Sequence, residues 1–176
     1  YINNDNYNEA EKLITKNIKS KNLDKESYKT TLAAINVALG WQAEEEKQFK
    51  TASKYLEKAI KLDKDYEPAV IAYAGILYIL GNHLKLANFI RKNWKEHPSF
   101  ELAGIYATIY EKKKINVRAR QLEKLIKINP AASEGYIDYA ELVIDSDKYL
   151  DKAEKYLNIA TELSNSPRIY KLLTII

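Results

Sequence analysis

Residues 93–110 read NWKEHPSFELAGIYATIY and hold one of the chain's two histidines, His97, beside Pro98. An imidazole can ligate a metal or haem, or move protons near neutral pH. His97-Pro98 also has the form of a joint between two helical patterns, where a short polar linker belongs. His83, the other histidine, follows Gly81-Asn82 in what reads as a second turn. Neither has a histidine three or four residues away, and the chain has no Cys and no Met, so no zinc or c-type haem motif is present. A single axial histidine or a tyrosine still leaves haem open as a ligand. Without cysteine there is no disulfide and no thiolate site, and a reducing compartment is allowed.

Other residue types with chemistry have structural readings beside the functional one. Glu44, Glu45 and Glu46 could form an acid/base cluster, but adjacent helical positions point in different directions, which suits a solvated face. The 14 tyrosines include Tyr73, Tyr106, Tyr136 and Tyr156 on apolar faces, where they would pack with the hydroxyl reaching water or backbone. Tyrosines at a groove edge would serve as anchors instead. No G-x-S-x-G, Walker loop or G-x-G-x-x-G occurs, so nothing points to an enzyme. Gly40 and Gly104 are expected at close helix contacts and Gly81 at a helix end.

Charge is uneven. The chain carries +4 overall, with 0 over residues 1–84, +7 over 85–127 and −3 over 128–176. The basic band comprises Lys85, Arg91, Lys92, Lys95, Lys112, Lys113, Lys114, Arg118, Arg120, Lys124 and Lys127, most of them on second helices and the turn between. It suits an anionic membrane surface, at about 1 kcal/mol per basic residue near the lipid, or a merely solvated face. It is short and lacks an aromatic platform, so nucleic acid is not expected.

The elements that must position these residues repeat. The four prolines, at 68, 98, 130 and 167, are spaced by 30, 32 and 37 residues, and each is placed to open a helix. Ala52, Ala87, Ala119 and Ala153, spaced by 35, 32 and 34, fall early in the second helical pattern of successive units. Such periods mark a helical solenoid. In the clearest unit, Leu39, Gly40, Phe49, Ala52, Leu56, Ala59 and Leu62 stand at the offsets of the tetratricopeptide (TPR) pattern. The spacing predicts helices over about 6–19, 25–46, 49–62, 68–80, 84–96, 99–113, 117–128, 132–145 and 149–164, with a short helix from 167. The fold class expected is all-α, a right-handed TPR-like solenoid of antiparallel helix pairs with about nine to ten helices. It forms one domain over 1–176, with an incomplete repeat in 1–32, repeats at 33–66, 67–97, 98–130 and 131–166, and a truncated helix at 167–176. The longest apolar run, Ala69 to Leu80, has 12 residues against the roughly 20 a membrane span needs, and is read as a buried helix. A chain that begins at Tyr1 is expected to be a fragment or mature product, with any anchor upstream.

From about Leu56 onward the sequence resembles the C-terminal TPR region of the HemY-type proteins of the bacterial inner membrane. The resemblance rests on Pro68-x2-Ile71, Leu80-Gly81, Ala87-x2-Ile90-x3-Trp94, His97-Pro98 with Glu101-Leu102-Ala103 and Tyr106, Arg118-x3-Leu122-x2-Leu125, Asn129-Pro130 with Glu134, Ala140-Glu141, Ala153-x2-Tyr156-Leu157, and Pro167-Arg168 with Leu172-Leu173. Ser99-Phe100 sets Glu101 one residue further from His-Pro than the pattern has it. The resemblance implies an upstream pair of membrane-spanning helices, a repeat region on the cytoplasmic side and a late step of protohaem synthesis as context; it does not imply an enzyme.

Function is then expected in a groove lined by positions two, five, nine and twelve of each first helix. These are Ala34, Val37, Trp41 and Glu44, then Pro68, Ile71, Gly75 and Tyr78, then Glu101, Ile105, Glu134, Ile137 and Glu141. A mixed apolar and acidic groove suits a helix or basic peptide. The first expectation is a membrane-tethered scaffold for a protein or peptide partner, such as a haem-synthesis enzyme. A haem or porphyrin carrier using His97 or a tyrosine is the alternative, and a TPR adaptor unrelated to haem the second.

Overall fold

The computed structural model describes residues 25–176 together with Glu9, Lys12, Leu13 and Lys16. Those four residues are helical, and the rest of the helix expected over 6–19 lies outside the described residues. Among the described residues the ordered elements are α-helices and one 3-10 turn, with no strand. They fall into two compact units, one ending at Asn82 and the other beginning at His83.

The first unit holds α1 (Lys25–Glu45), α2 (Phe49–Leu62) and α3 (Glu67–Ile79). α1 stops where Lys47 turns into the left-handed region, φ 60°, and its N–H bonds Glu44 O at 2.8 Å while Gln48 N–H bonds Ala43 O at 2.7 Å. This is the paired C-terminal cap that usually takes glycine. The turn is short enough to lay α2 back along α1. There Gly40 is essential, since a Cβ on it would lie 2.8 Å from Leu56 Cγ. The open end of the hairpin is tied by Thr30 Oγ1, which donates to Asp63 Oδ2 at 2.6 Å.

Pro68 in the first turn of α3 loses no hydrogen bond there. The long apolar run becomes a buried helix as expected, with Ala69, Val70, Tyr73, Ala74, Ile76 and Leu77 enclosed. No described helix is long and apolar enough to cross a membrane. Gly81, φ 70°, ends α3 as read from the sequence, with Gly81 N–H on Tyr78 O at 2.9 Å and Asn82 N–H on Leu77 O at 3.0 Å.

The second unit holds α4 (His83–Asn93), α5 (Phe100–Thr108), α6 (Ile115–Ile128), α7 (Ser133–Val143), α8 (Leu150–Leu163) and α9 (Pro167–Leu173), with a 3-10 turn over Asp147–Tyr149 leading into α8. α5 is five residues shorter at its C-terminal end than the pattern predicts. After Thr108 the chain tightens into three-residue turns, Tyr110 N–H to Ala107 O and Lys113 N–H to Tyr110 O. The polar run Glu111–Lys114 has no apolar face to continue a buried helix. At the other end Ser99 Oγ caps α5 by accepting from Leu102 N–H at 3.3 Å.

The alanine ruler marks real close approaches. Ala52, Ala87, Ala119 and Ala153 are all buried near the start of α2, α4, α6 and α8, and each is followed one turn later by a buried Leu56, Ile90, Leu122 or Leu157. Each such large side chain contributes about 1.5–3 kcal/mol when fully enclosed. α1/α2, α5/α6 and α7/α8 are hairpin pairs, and within the units α3 packs on α2 and α1, while α9 packs on α8 and α7. The fold is all-α, TPR-like and built from consecutive antiparallel helix pairs.

Candidate functional site

The first-helix faces separate into an aromatic surface in one unit and a charged pocket in the other. In the first unit Trp41 on α1 is 50% exposed and Tyr78 on α3 is 38% exposed, with Ile79 next to it 45% exposed. Ala34, Glu44, Ile71 and Gly75 are half-buried beside them. Val37 was expected on this face and is instead in the core, 1% exposed; the half-buried residue one step on is Ala38. Pro68 is exposed at the start of α3.

The second unit repeats that displacement. Ile137 is fully buried, and the residue facing the pocket is its neighbour Asp138. On α5, Ile105 is half-buried, and Gly104 opens into the pocket. Glu101 is exposed, Glu134 half-buried and Glu141 at the pocket rim. A helix stripe at i and i+7 can be completed at i+3 or at i+4. Packing against the second helices chose i+4 on both α1 and α7. Gly104 was also expected at a close helix contact, yet a Cβ there would meet nothing within 4 Å, so its role is to leave space.

That pocket, about 280 Å³, has a floor of small α5 residues, Ala103, Gly104 and Ala107. Leu122 and Leu142 form apolar walls, and Arg118, Asp138 and Glu141 supply the polar ones. Arg168 of α9 organises the acidic side: its Nη2 donates to Asp138 Oδ1 at 2.9 Å and also to Glu141 Oε2. The guanidinium carbon lies over the Phe100 ring, 4.0 Å from its centre, a cation–π contact. Two polar atoms here are buried without a hydrogen-bond partner, Asp138 Oδ2 and Arg118 Nε. An orphaned buried group of this kind costs about 1–3 kcal/mol. Burial pushes the Asp138 carboxyl up to about 7, against the pull of Arg168 and with Glu141 and Glu134 adding to the rise.

Tyr73 and Tyr136 are packing groups with tethered hydroxyls. Tyr136 OH donates to Pro130 O at 3.0 Å, and the Tyr73 hydroxyl donates to Glu57. Tyr156 meets Tyr136 and Tyr139 edge to face at 5.3 and 4.8 Å. Lys152 lies over Tyr139 and Tyr156 and pairs with Glu123 at 2.5 Å. Tyr106 is fully enclosed, and burial raises its phenol well above the usual range.

His97 sits in the α4–α5 link as the sequence reading has it, but the link is not a solvated one. His97 is 8% exposed, its N–H bonds Asn93 O at 2.9 Å, and Trp94 beside it is fully buried. To ligate a haem the ring would have to leave that packing. His83 is exposed at the start of α4. Among the described residues, no three His, Asp or Glu side chains gather as a metal site.

Of the basic band, Lys85, Lys92, Lys95, Lys112, Lys113, Lys114, Arg120, Lys124 and Lys127 are exposed and Arg91 is half-buried. Arg118 departs from the band, because its position near the start of α6 turns it into the pocket. Asp138 and Arg168 were the functional side chains missed as site residues. Their charges stand among others, Glu134 and Glu141 on α7 and Lys171 on α9, and their 30-residue separation hides the pairing.

No family model matches the chain. No curated protein matches it. Among solved structures it is similar to YrrB, described as a TPR protein with an unusual peptide-binding site, at 14% identity over 92% of this chain and 89% of that one, TM-score 0.47. It is similar to TTC0263, a thermophilic TPR protein of Thermus thermophilus, at 17% identity over 80% and 79%, TM-score 0.46. It is also similar to pilF of Pseudomonas aeruginosa, at 16% identity over 96% and 85%, TM-score 0.49.

Proposed function

We propose that this chain is a non-enzymatic protein-interaction module that holds a peptide segment of a partner on its first-helix faces. The observation that supports this most directly is the exposure of Trp41 and Tyr78, two large aromatic side chains facing solvent on α1 and α3. Tryptophan and tyrosine bury much apolar area at small conformational cost and dominate binding hot spots. Capture of partners by immobilised chain, compared with a Trp41→Ala plus Tyr78→Ala double variant, tests it. The double variant is expected to lose most capture while keeping its helical circular dichroism. Unchanged capture removes this face from the function.

In its finer form the module is the repeat region of a HemY-type protein, tethered to the bacterial inner membrane with the repeats on the cytoplasmic side, and its partner is an enzyme of protohaem synthesis. Support for this form is the sequence resemblance alone. Several residues carrying it, Trp94, Leu102, Ala103, Tyr106 and Leu157, are buried, so they speak for packing more than for a partner. Crosslinking of the full-length protein in its native membrane, with identification of neighbours, is the experiment that decides it. The exposed lysines from Lys112 to Lys114 and along α6 are proposed to rest on anionic lipid. Flotation with vesicles containing phosphatidylserine or phosphatidylglycerol is expected to exceed that with neutral vesicles at low salt.

A further inference from the structure

The chain itself shows twice how it holds a cation. Arg168 lies over the Phe100 ring, 4.0 Å from its centre, and donates to the carboxylates of Asp138 and Glu141. Lys152 lies over Tyr139 and Tyr156 and pairs with Glu123. In both cases an aromatic face meets the positive charge from one side and a carboxylate meets it from another, so two attractions hold it at once.

The first unit presents both kinds of group on α1, with no Lys or Arg between Thr30 and Glu46. Trp41 is 50% exposed, and Glu44 and Glu45 follow it at three and four residues, the spacings that make neighbours on a helix surface. Glu46 is taken, accepting from the Gln42 and Gln48 side-chain amides at 3.3 and 2.8 Å, whereas no ion pair among the described residues engages Glu44 or Glu45. The helix dipole favours a base in the last turn, yet α1 ends in carboxylates and neither α1 nor α3 has a base there. Lys47 and Lys50 lie beyond, in the turn and on α2, where they line a different hollow with Phe49 and Leu80. The surface behind Trp41 is low: Ala38 and Ala34 stand one and two turns back, half-buried. α3, which packs on α1, contributes Gly75, where a Cβ would meet nothing within 4 Å.

We propose that this face takes an arginine from a basic segment of a partner protein, its guanidinium over the Trp41 ring and its N–H groups donating to Glu44 and Glu45. The proposal rests on the peptide-binding reading above and names the residue type read at the Trp41 end of the face. Arginine fits better than lysine because its planar head stacks on a ring and still offers donors at its edge. An acidic segment would bring its charge against Glu44 and Glu45, and a neutral one would gain the apolar contact alone. The open floor accepts many side chains, so the two carboxylates supply the preference.

The test is a nitrogen-15 NMR titration of the 176-residue chain, read at the indole N–H of Trp41, with that of the fully buried Trp94 as internal control. The probes are short capped peptides of alanine and leucine with a central arginine, citrulline or glutamate; citrulline keeps the shape of arginine and loses its charge. The arginine peptide is expected to shift the Trp41 signal saturably, with an affinity about tenfold tighter than the citrulline peptide, and the glutamate peptide to give no saturable shift. Glu44→Gln plus Glu45→Gln is expected to bring the arginine peptide down to the citrulline level while the Trp94 signal stays in place. Equal affinity for the arginine and citrulline peptides, a preference that survives the double glutamine variant, or no saturable shift from any peptide would each overturn the proposal. Equal binding of arginine and citrulline leaves the peptide-binding reading standing, whereas unchanged capture after Trp41→Ala plus Tyr78→Ala removes that reading itself, so the two failures are told apart.

Discussion

The first-helix face of the α1–α3 unit and that of the α4–α9 unit use the same helical spacing for opposite chemistries. One presents Trp41 and Tyr78 over small or aliphatic neighbours and gains from burying area. The other places Arg118, Asp138, Glu141 and Arg168 around a small-residue floor, with two polar atoms unpaired. Aromatic faces bind broadly, because apolar burial is non-directional. A buried donor or acceptor without a partner costs about 1–3 kcal/mol, so the charged side is the more demanding one to pack. The glycines follow the division: Gly40 permits helix contact in one unit, and Gly104 leaves open space in the other.

That division is sharpest at the glycines. Gly40→Ala is expected to cost about 1–3 kcal/mol, since its new methyl would collide with the fully buried Leu56. Gly104→Ala adds the same methyl to open space within a helix and is expected to stabilise by about 0.5–1 kcal/mol. Urea denaturation of both variants measures the pair, and the same sign for both would erase the distinction.

Another effect should appear in the pH dependence of stability. The Asp138 carboxyl is raised from 3.8 to about 7, so the folded state holds its proton more tightly than the unfolded chain. Its contribution is therefore intact below about pH 4 and is lost as pH rises through about 7. Asp138→Asn is expected to flatten that decline relative to the parent chain, as followed by melting temperature between those limits. A parallel decline in both proteins would mean that Asp138 is not its source.

The smallest expected change belongs to the α1–α2 turn. Lys47 occupies the left-handed region that favours glycine. Lys47→Gly should stabilise the first hairpin by about 0.5–1 kcal/mol, a gain reduced by the extra freedom of glycine in the unfolded chain. Denaturation midpoints are sensitive enough to read it.

The fold was largely legible because its signals are local. Pro68 and Pro167 lie in the first turns of their helices, Gly81 ends one, and α2 runs over the predicted residues from Phe49 to Leu62. α5 ended early because Glu111–Lys114 interrupts the apolar face, which is readable in retrospect. The candidate site was legible only in part. Trp41, Tyr78, Gly75 and Glu141 lie on accessible faces as read, whereas Val37 and Ile137 belong to the core. Spacing along a helix sets how often a face recurs, but not which way it is rotated against its neighbours.

By itself the sequence determined most of the helices, the Gly81 stop and the Gly40 contact, because these depend on interactions across at most one turn or one repeat. Tertiary structure alone decided that Ala38 and Asp138 are the accessible positions, that Arg118 leaves the basic band, and that Arg168 joins Asp138 and Glu141 over Phe100. The physical reason is that a charge finds its partner through space. Which charges meet follows from the packing of whole helices, and nothing in the spacing of residues 118, 138 and 168 announces it.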